Sequence, residues 1–325
     1  MEKTRRMVQV IFFFGFLFLI PTLSFPQEFP TKPINILVGF APGGAVDVAT
    51  RVLASKAEKF LGQPFLVSNN GGGGGSVACT IVAKQPPDGY HLASPASSPL
   101  TRTPHIQKVS YKLEDFTPVM HFGAPQTVIV VRADSPWKTL KEFVEFAKNN
   151  PGKVTYATMG SGHGPHFAME SVAKKEGIKW THVPYTSGLP HVPLLGGHVM
   201  AAASSSTVFP LVRAGSLRLL ATANEKRCKS FPEVPTLWEL GYGYINDGVC
   251  AIYAPKGTPL SIVKKLDDAF RKAMDDPEFI HTLNNLDYDI SYRNHEDTKK
   301  FLEESYVNVG KTIKELNIPT EFGKQ

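Results

Sequence analysis

The stretch Phe40-Ala-Pro-Gly-Gly-Ala-Val-Asp47 decides the fold of this chain. Before it, Ile34, Ile36, Leu37 and Val38 read as a buried strand. After it, Val46, Ala49, Val52, Leu53, Ala57 and Phe60 recur at helical spacing. Between the two, Pro42-Gly43-Gly44 predicts a tight turn that clears side chains from the start of the helix. A helix N-terminus carries unpaired N–H groups and the positive end of the dipole. With side chains out of the way, an anion can reach those groups. The stretch therefore predicts a strand–turn–helix unit that holds a small acidic ligand by backbone.

Outward from this unit, strand and helix signals alternate, which predicts an α/β fold. Phe65–Val67 reads as a strand, Asn69–Gly75 as a loop almost without side chains, and Val77–Ala83 as the next helix. A turn at Pro86–Gly89, a strand at Tyr90–Ala93 and a polar loop at Ser94–Pro104 follow. Thr139-Leu-Lys-Glu142 is a capping box, opening a helix to Lys148. A strand at Val154–Thr158 leads to a helix at Pro165–Lys175. Further strands are expected near Thr181–Val183, His198–Ala203 and Leu217–Ala223, joined by short helices at Pro190–Leu195 and Val208–Ala214. Thr258-Pro259 reads as an N-cap with Pro at the first helical position, and a long closing helix spans Asn294–Leu316. Thr127–Val131 and Val249–Tyr253 read as strands crossing between two lobes. That makes the first lobe discontinuous, residues 25–128 with 248–325, and leaves 129–247 as the second. A cleft between lobes is a favoured ligand site.

The chain has 325 residues, 42% of them hydrophobic, and a formal net charge of +6. Lys3, Arg5 and Arg6 precede an apolar run from Val8 to Ile20, and small residues at Thr22 and Ser24 suit a cut after Ser24. Residues 1–24 therefore read as a secretory signal peptide, too short for a membrane span of ~20 apolar residues. Its removal takes away three basic residues and one acidic one, lowering the charge from +6 to +4. Such a mild excess suits an anionic ligand. Without a Lys/Arg stripe it excludes a nucleic-acid footprint. Export permits disulfides. Of Cys79, Cys228 and Cys250, the first is expected in a buried helix, and a Cys228–Cys250 bridge is open.

Other chemistries lack their motifs. No Gly-Lys-[Ser/Thr] follows the Gly71–Gly75 run, so it is no P-loop, and it has no dinucleotide fingerprint. Met159 stands where the first glycine of a hydrolase elbow around Ser161 belongs. His163 and His166 are three residues apart with no acidic or Cys partner nearby, so no metal and no other cofactor is expected. These absences argue against an enzyme.

The chain resembles one family along nearly its whole mature length. Besides Phe40–Asp47, the matching segments are Pro30-Thr-Lys-Pro-Ile34, Pro86-Pro-Asp-Gly-Tyr90, Asp115-Phe-Thr-Pro-Val119, His182-Val-Pro-Tyr185, Leu195-Gly-Gly197, Val234-Pro-Thr236 and Ala254-Pro-Lys-Gly-Thr-Pro259. They resemble the periplasmic receptors of tripartite tricarboxylate transporters, the Bug or TctC-like proteins. The chain departs from the pattern at Asn70, at the five-glycine run and at Val249-Cys250. The resemblance implies a two-lobe periplasmic binding protein type II, or Venus-flytrap, fold of mixed sheets flanked by helices around a cleft. It implies a periplasmic, monomeric solute receptor, not an enzyme, that hands a small carboxylate to membrane permease subunits and binds no nucleic acid. An exported ligand sensor acting on a membrane sensor is the alternative. One loop from each lobe would pinch the carboxylate. The first offers Phe40, Ala41, Gly43, Gly44 and Ala45, with Asp47 either offsetting the dipole or orienting water or the ligand's polar end. The second offers Gly160, Ser161 and Gly162, with His166 either donating to the ligand or capping local backbone. Tyr185, Thr186, Ser205 and Ser206 would line the distal end, or the serines would only cap a helix. Ser97 is a further candidate in the third loop of the first lobe.

Overall fold

Among the described residues, β-branched and aliphatic runs form ten strands, β1 (Ile34–Val38), β2 (Phe65–Asn69), β3 (His91–Ser94), β4 (Phe116–Gly123), β5 (Thr127–Arg132), β6 (Thr155–Thr158), β7 (Thr181–Pro184), β8 (Ala201–Ser205), β9 (Leu217–Thr222) and β10 (Cys250–Pro255). The helices are α1 (Ala45–Leu61), α2 (Ser76–Val82), α3 (Ser98–Thr101), α4 (Thr103–Ile106), α5 (Leu140–Asn149), α6 (Gly164–Glu176), α7 (His191–Leu195), α8 (Phe209–Arg213), α9 (Leu260–Ala273), α10 (Pro277–Asn285) and α11 (His295–Glu315). This computed structural model describes residues 29–160, 163–185, 189–244 and 248–315, with 318, 320 and 321. The expected leader, residues 1–24, lies outside the described residues.

The strands make two five-stranded sheets, ordered β2-β1-β3-β10-β4 and β7-β6-β8-β5-β9. In the first, β1 runs parallel to β2 and β3, and β10 is antiparallel to β3 and β4. In the second, β6 runs parallel to β7 and β8, and β5 is antiparallel to β8 and β9. Each sheet thus has three parallel strands whose carboxyl ends share one edge, where open α/β sheets bind ligands. The fold is the two-lobed one that the resemblance implies, with helices on mixed sheets.

The segments between the sheets are tied together. Ala124 and Asp289 exchange backbone bonds of 2.9 Å each. Asn224 accepts from Thr127 N–H at 2.9 Å and donates to the Pro125 carbonyl at 3.0 Å.

Local chemistry accounts for two element ends directly. Thr139 Oγ1 caps α5 by accepting from Glu142 N–H at 3.2 Å. Gly62, at φ 79°, closes α1 in the left-handed conformation that suits glycine. Two expectations need correction. The α1 core stripe runs through Ala49, Leu53, Ala57 and Leu61, which leaves Phe60 42% exposed. Residues four apart stack on one helix face, and Phe60 lies off that row. Thr258 does not cap α9: its hydroxyl donates to the Pro255 carbonyl at 2.8 Å and the helix begins at Leu260. The strand β4 carried no sequence expectation, because Pro118 interrupts its pattern. Pro118 is tolerated because β4 is the edge of its sheet.

All three cysteines are free and buried, so Cys228 and Cys250 are not bridged. Burial pushes the thiols of Cys79 and Cys250 up to about 12. Without reductant, alkylation should modify none of them in the native state and all three after denaturation, read by mass spectrometry.

Candidate functional site

The loop after β1 is a built turn. Pro42 takes its second position and Gly43, at φ 76°, its third, and Gly44 N–H closes it on the Ala41 carbonyl at 3.1 Å. That is the arrangement of a type II turn, which needs a positive φ where Gly43 sits. Asp47, 2% exposed, reaches back under it. Its carboxylate accepts from Gly43 N–H at 2.8 Å, Arg51 Nε at 2.9 Å and Asn69 Nδ2 at 2.8 Å. Asn69, at the end of β2, also donates to the Phe40 carbonyl at 3.0 Å. Burial alone would raise the Asp47 carboxyl, but the hydrogen bonds from Arg51, Gly43 and Asn69 outweigh it and hold it below its ordinary value.

This geometry corrects the expected donor set. Gly43 and Gly44 N–H are both engaged within the loop. The N–H groups of Ala45, Val46 and Asp47, in the first turn of α1, have no partner among the described residues. Arg51 offsets the Asp47 charge, so the helix end keeps its attraction for an anion. Asp47 thereby orients the loop.

The second loop follows β6. Thr158 Oγ1 accepts from Gly160 N–H at 3.1 Å, so that expected donor is also engaged. Ser161 and Gly162 lie outside the described residues, as does Thr186. Below the loop, His166 is 4% exposed and stacks on His182 with ring centroids 4.2 Å apart. His182 stacks in turn on Tyr156 at 5.0 Å and contacts Thr158 Oγ1 through Nε2 at 2.7 Å. Burial first, then the neighbouring His182, His163 and Arg102, pushes His166 down to about 3. Burial pushes His182 down to about 4. His166 is therefore part of a neutral ring stack that supports the loop from beneath.

The remaining candidates divide. Tyr185 is half-buried at the end of β7 and hydrogen-bonds through its N–H to the Thr158 carbonyl at 2.7 Å. Ser205 ends β8 on the same edge, its hydroxyl 3.1 Å from Thr207 Oγ1. Ser206 instead donates to the Leu286 carbonyl at 2.7 Å. Ser97 is fully buried and accepts from Val249 N–H at 3.0 Å. Both serines join distant segments, and their hydroxyls hold those joints. Ala96, beside Ser97, has φ 62°, a strained value for alanine at the same sheet edge.

The Gly71–Gly75 run links the two loops. A Cβ on Gly71 would lie 3.7 Å from Ala41 N, and one on Gly74 3.8 Å from His163 Cε1. At Gly39 a Cβ would meet Gly75 Cα at 2.9 Å, so only glycine fits there. Sequence reasoning treated the run as a bare loop. It also missed Asn69, Arg51 and His182, although Asn69 stands at a strand's carboxyl end, the signal that could have found it.

A pH prediction follows from the ring stack. The folded values of His166 and His182 lie below the ordinary 6.5. The unfolded chain therefore binds more protons below pH 6.5, and stability falls as pH drops through that value. His166→Phe should flatten the fall in Tm between pH 6.5 and 4, measured by calorimetry against wild type.

These features define a two-lobed α/β fold whose candidate loops gather at the carboxyl ends of the parallel strands, the place where open α/β sheets bind solutes. Residues 49–318 match the family model described as tripartite tricarboxylate transporter family receptor. A relative from Cupriavidus necator, the UPF0065 protein in the gbd 5' region, is 39% identical over 301 residues, covering 92% of each chain. A TctC solute-binding protein from Polaromonas superposes with a TM-score of 0.77 at 30% identity, covering 88% of this chain and 99% of that one. MatC from Rhodopseudomonas palustris, solved with bound malate, has a TM-score of 0.72 at 26% identity, covering 88% of this chain and 100% of that one. The chain belongs to the tripartite tricarboxylate transporter receptor family. It is a periplasmic solute receptor and not an enzyme. Among the described residues, no helix is long and apolar enough to cross a membrane.

Proposed function

We propose that this receptor binds a small carboxylate between its lobes and delivers it to the permease of a tripartite tricarboxylate transporter. The observation that carries this is the first turn of α1, where Ala45, Val46 and Asp47 N–H have no partner among the described residues while Arg51 and Asn69 hold Asp47. A carboxylate placed there satisfies groups that a helix otherwise leaves to water. The second loop adds donors, and Tyr185 and Ser205, at the ends of β7 and β8, face the rest of the solute. The lobes, residues 25–128 with 248–325 and residues 129–247, close by a hinge at the segments joining β4 to β5 and β9 to β10. The malate seen in MatC makes hydroxy-dicarboxylates the first class to try.

Thermal unfolding against mono-, di- and tricarboxylates, malate included, tests the proposal. A solute at about 100 times its Kd adds ~2.7 kcal/mol, a rise of several degrees in Tm. A shift only with amines or sugars would overturn it.

A further inference from the structure

We propose that Phe167 and Arg102 form a latch between the lobes that stabilises the closed form and so sets solute affinity without touching the solute; this rests on the two-lobe binding just proposed. Phe167 lies in the first turn of α6, which starts directly from the second loop. Its neighbours on the helix, Ala168, Met169 and Val172, pack into the core of the second lobe. Phe167 does not join them. It is 1% exposed and packs with Val309, Ile313 and Ile318, with Ile106 and Tyr244 alongside.

Val309 and Ile313 are on α11, which lies against α3 and β4 of the first lobe. One helix thus buries a face in its own lobe and sends a single aromatic ring into the other. Arg102 closes over that ring. It follows α3 at the carboxyl edge of β3, is 3% exposed, and holds its guanidinium carbon 4.8 Å above the Phe167 ring centroid. Its Nη1 lies 3.4 Å from Ser98 Oγ on its own lobe. Further along α6, Lys174 pairs with Glu315 of α11 at 2.8 Å, joining the same two helices.

The latch is on the cleft side of the hinge. α6 begins at the solute loop, and Gly74 of the first lobe approaches His163 one turn before Phe167. Opening would expose a buried aromatic ring and separate a desolvated cation from its face, both unfavourable. A solute that draws the second loop inward seats Phe167, and a seated Phe167 holds the loop in place for the solute. The apparent affinity then scales with the population of closed, competent protein.

Paired spin labels and binding assays test this on the mature protein. Cysteines introduced at the exposed Lys84 and Lys179 report the inter-lobe distance, because the native thiols are buried. In ligand-free wild type a short-distance population should be present. Phe167→Ala and Arg102→Gln should each deplete it and weaken malate, or the strongest panel acid, by about tenfold. Phe167→Leu, which keeps most of the apolar contact but removes the ring face under Arg102, should recover part of both and fall between wild type and Phe167→Ala. Unchanged distances and affinity in Phe167→Ala and Arg102→Gln, with only a lower Tm, would reduce the contact to ordinary packing and overturn the latch. If no acid binds wild type, the carboxylate reading fails. The ligand-free distances still decide the latch, since identical distributions in wild type and both variants overturn it.

Discussion

Gly44→Asp should abolish solute binding while leaving the fold as stable as before or more so. Gly44 is the N-cap of α1, with ordinary extended backbone at φ −68° and ψ 158° and no side-chain cap. An aspartate suits that position, because its carboxylate accepts from the first-turn N–H groups. Its Cβ would sit 3.1 Å from the Ala41 carbonyl, so the turn must give by a few tenths of an ångström. The carboxylate that strengthens the helix then occupies the place assigned to the solute. Two like charges ~4 Å apart at an effective dielectric of ~20 repel by ~4 kcal/mol, close to a thousandfold in Kd. Calorimetric titration and thermal unfolding of the same sample separate the two effects. Wild-type affinity in this variant would remove the α1 terminus from the site.

Asp47→Ala should cost more stability than its place in the first turn of a helix suggests. The carboxylate is buried and gathers Gly43 N–H, Arg51 and Asn69. Losing it leaves three donors without their acceptor, and hydrogen bonds to charged groups contribute ~1.5–3 kcal/mol each. The sum is smaller than three such bonds, because Arg51 is 45% exposed and turns to water. The expected loss is ~2–4 kcal/mol, read as a lower midpoint in urea. Solute affinity should fall with it, since the Pro42-Gly43 turn loses the anchor that aims the helix end. Asp47→Asn, of equal size but without charge, should fall between. A loss below ~0.5 kcal/mol, the range of ordinary surface changes, would contradict the role given to Asp47.

The unit that opened the sequence reading, β1, the glycine turn and α1, was legible because each part depends on local chemistry. An aliphatic run makes a strand, Pro-Gly makes the turn, and a helical apolar stripe follows. The Thr139 cap was legible for the same reason: its partner is three residues away. What the sequence hid depends on distance along the chain. Ser97 and Ser206 look like cleft hydroxyls, but their partners Val249 and Leu286 are 152 and 80 residues away. Gly43 and Gly44 were correctly placed in the loop. Their N–H groups could not be assigned, because the acceptors depend on how the turn folds over Asp47. Nothing in the sequence sets Phe167 apart from the other apolar residues of its helix, and only packing shows that it meets α11.

The central claim is that a carboxylate sits on the first-turn amides of α1. The measurement that tests it most directly is an amide chemical-shift titration of the mature, isotope-labelled protein with the tightest acid from the panel. The account predicts that Ala45 and Val46 amide protons move downfield in proportion to occupancy, as they gain a charged acceptor. Saturable binding that shifts other amides and leaves Ala45 and Val46 in place would contradict it.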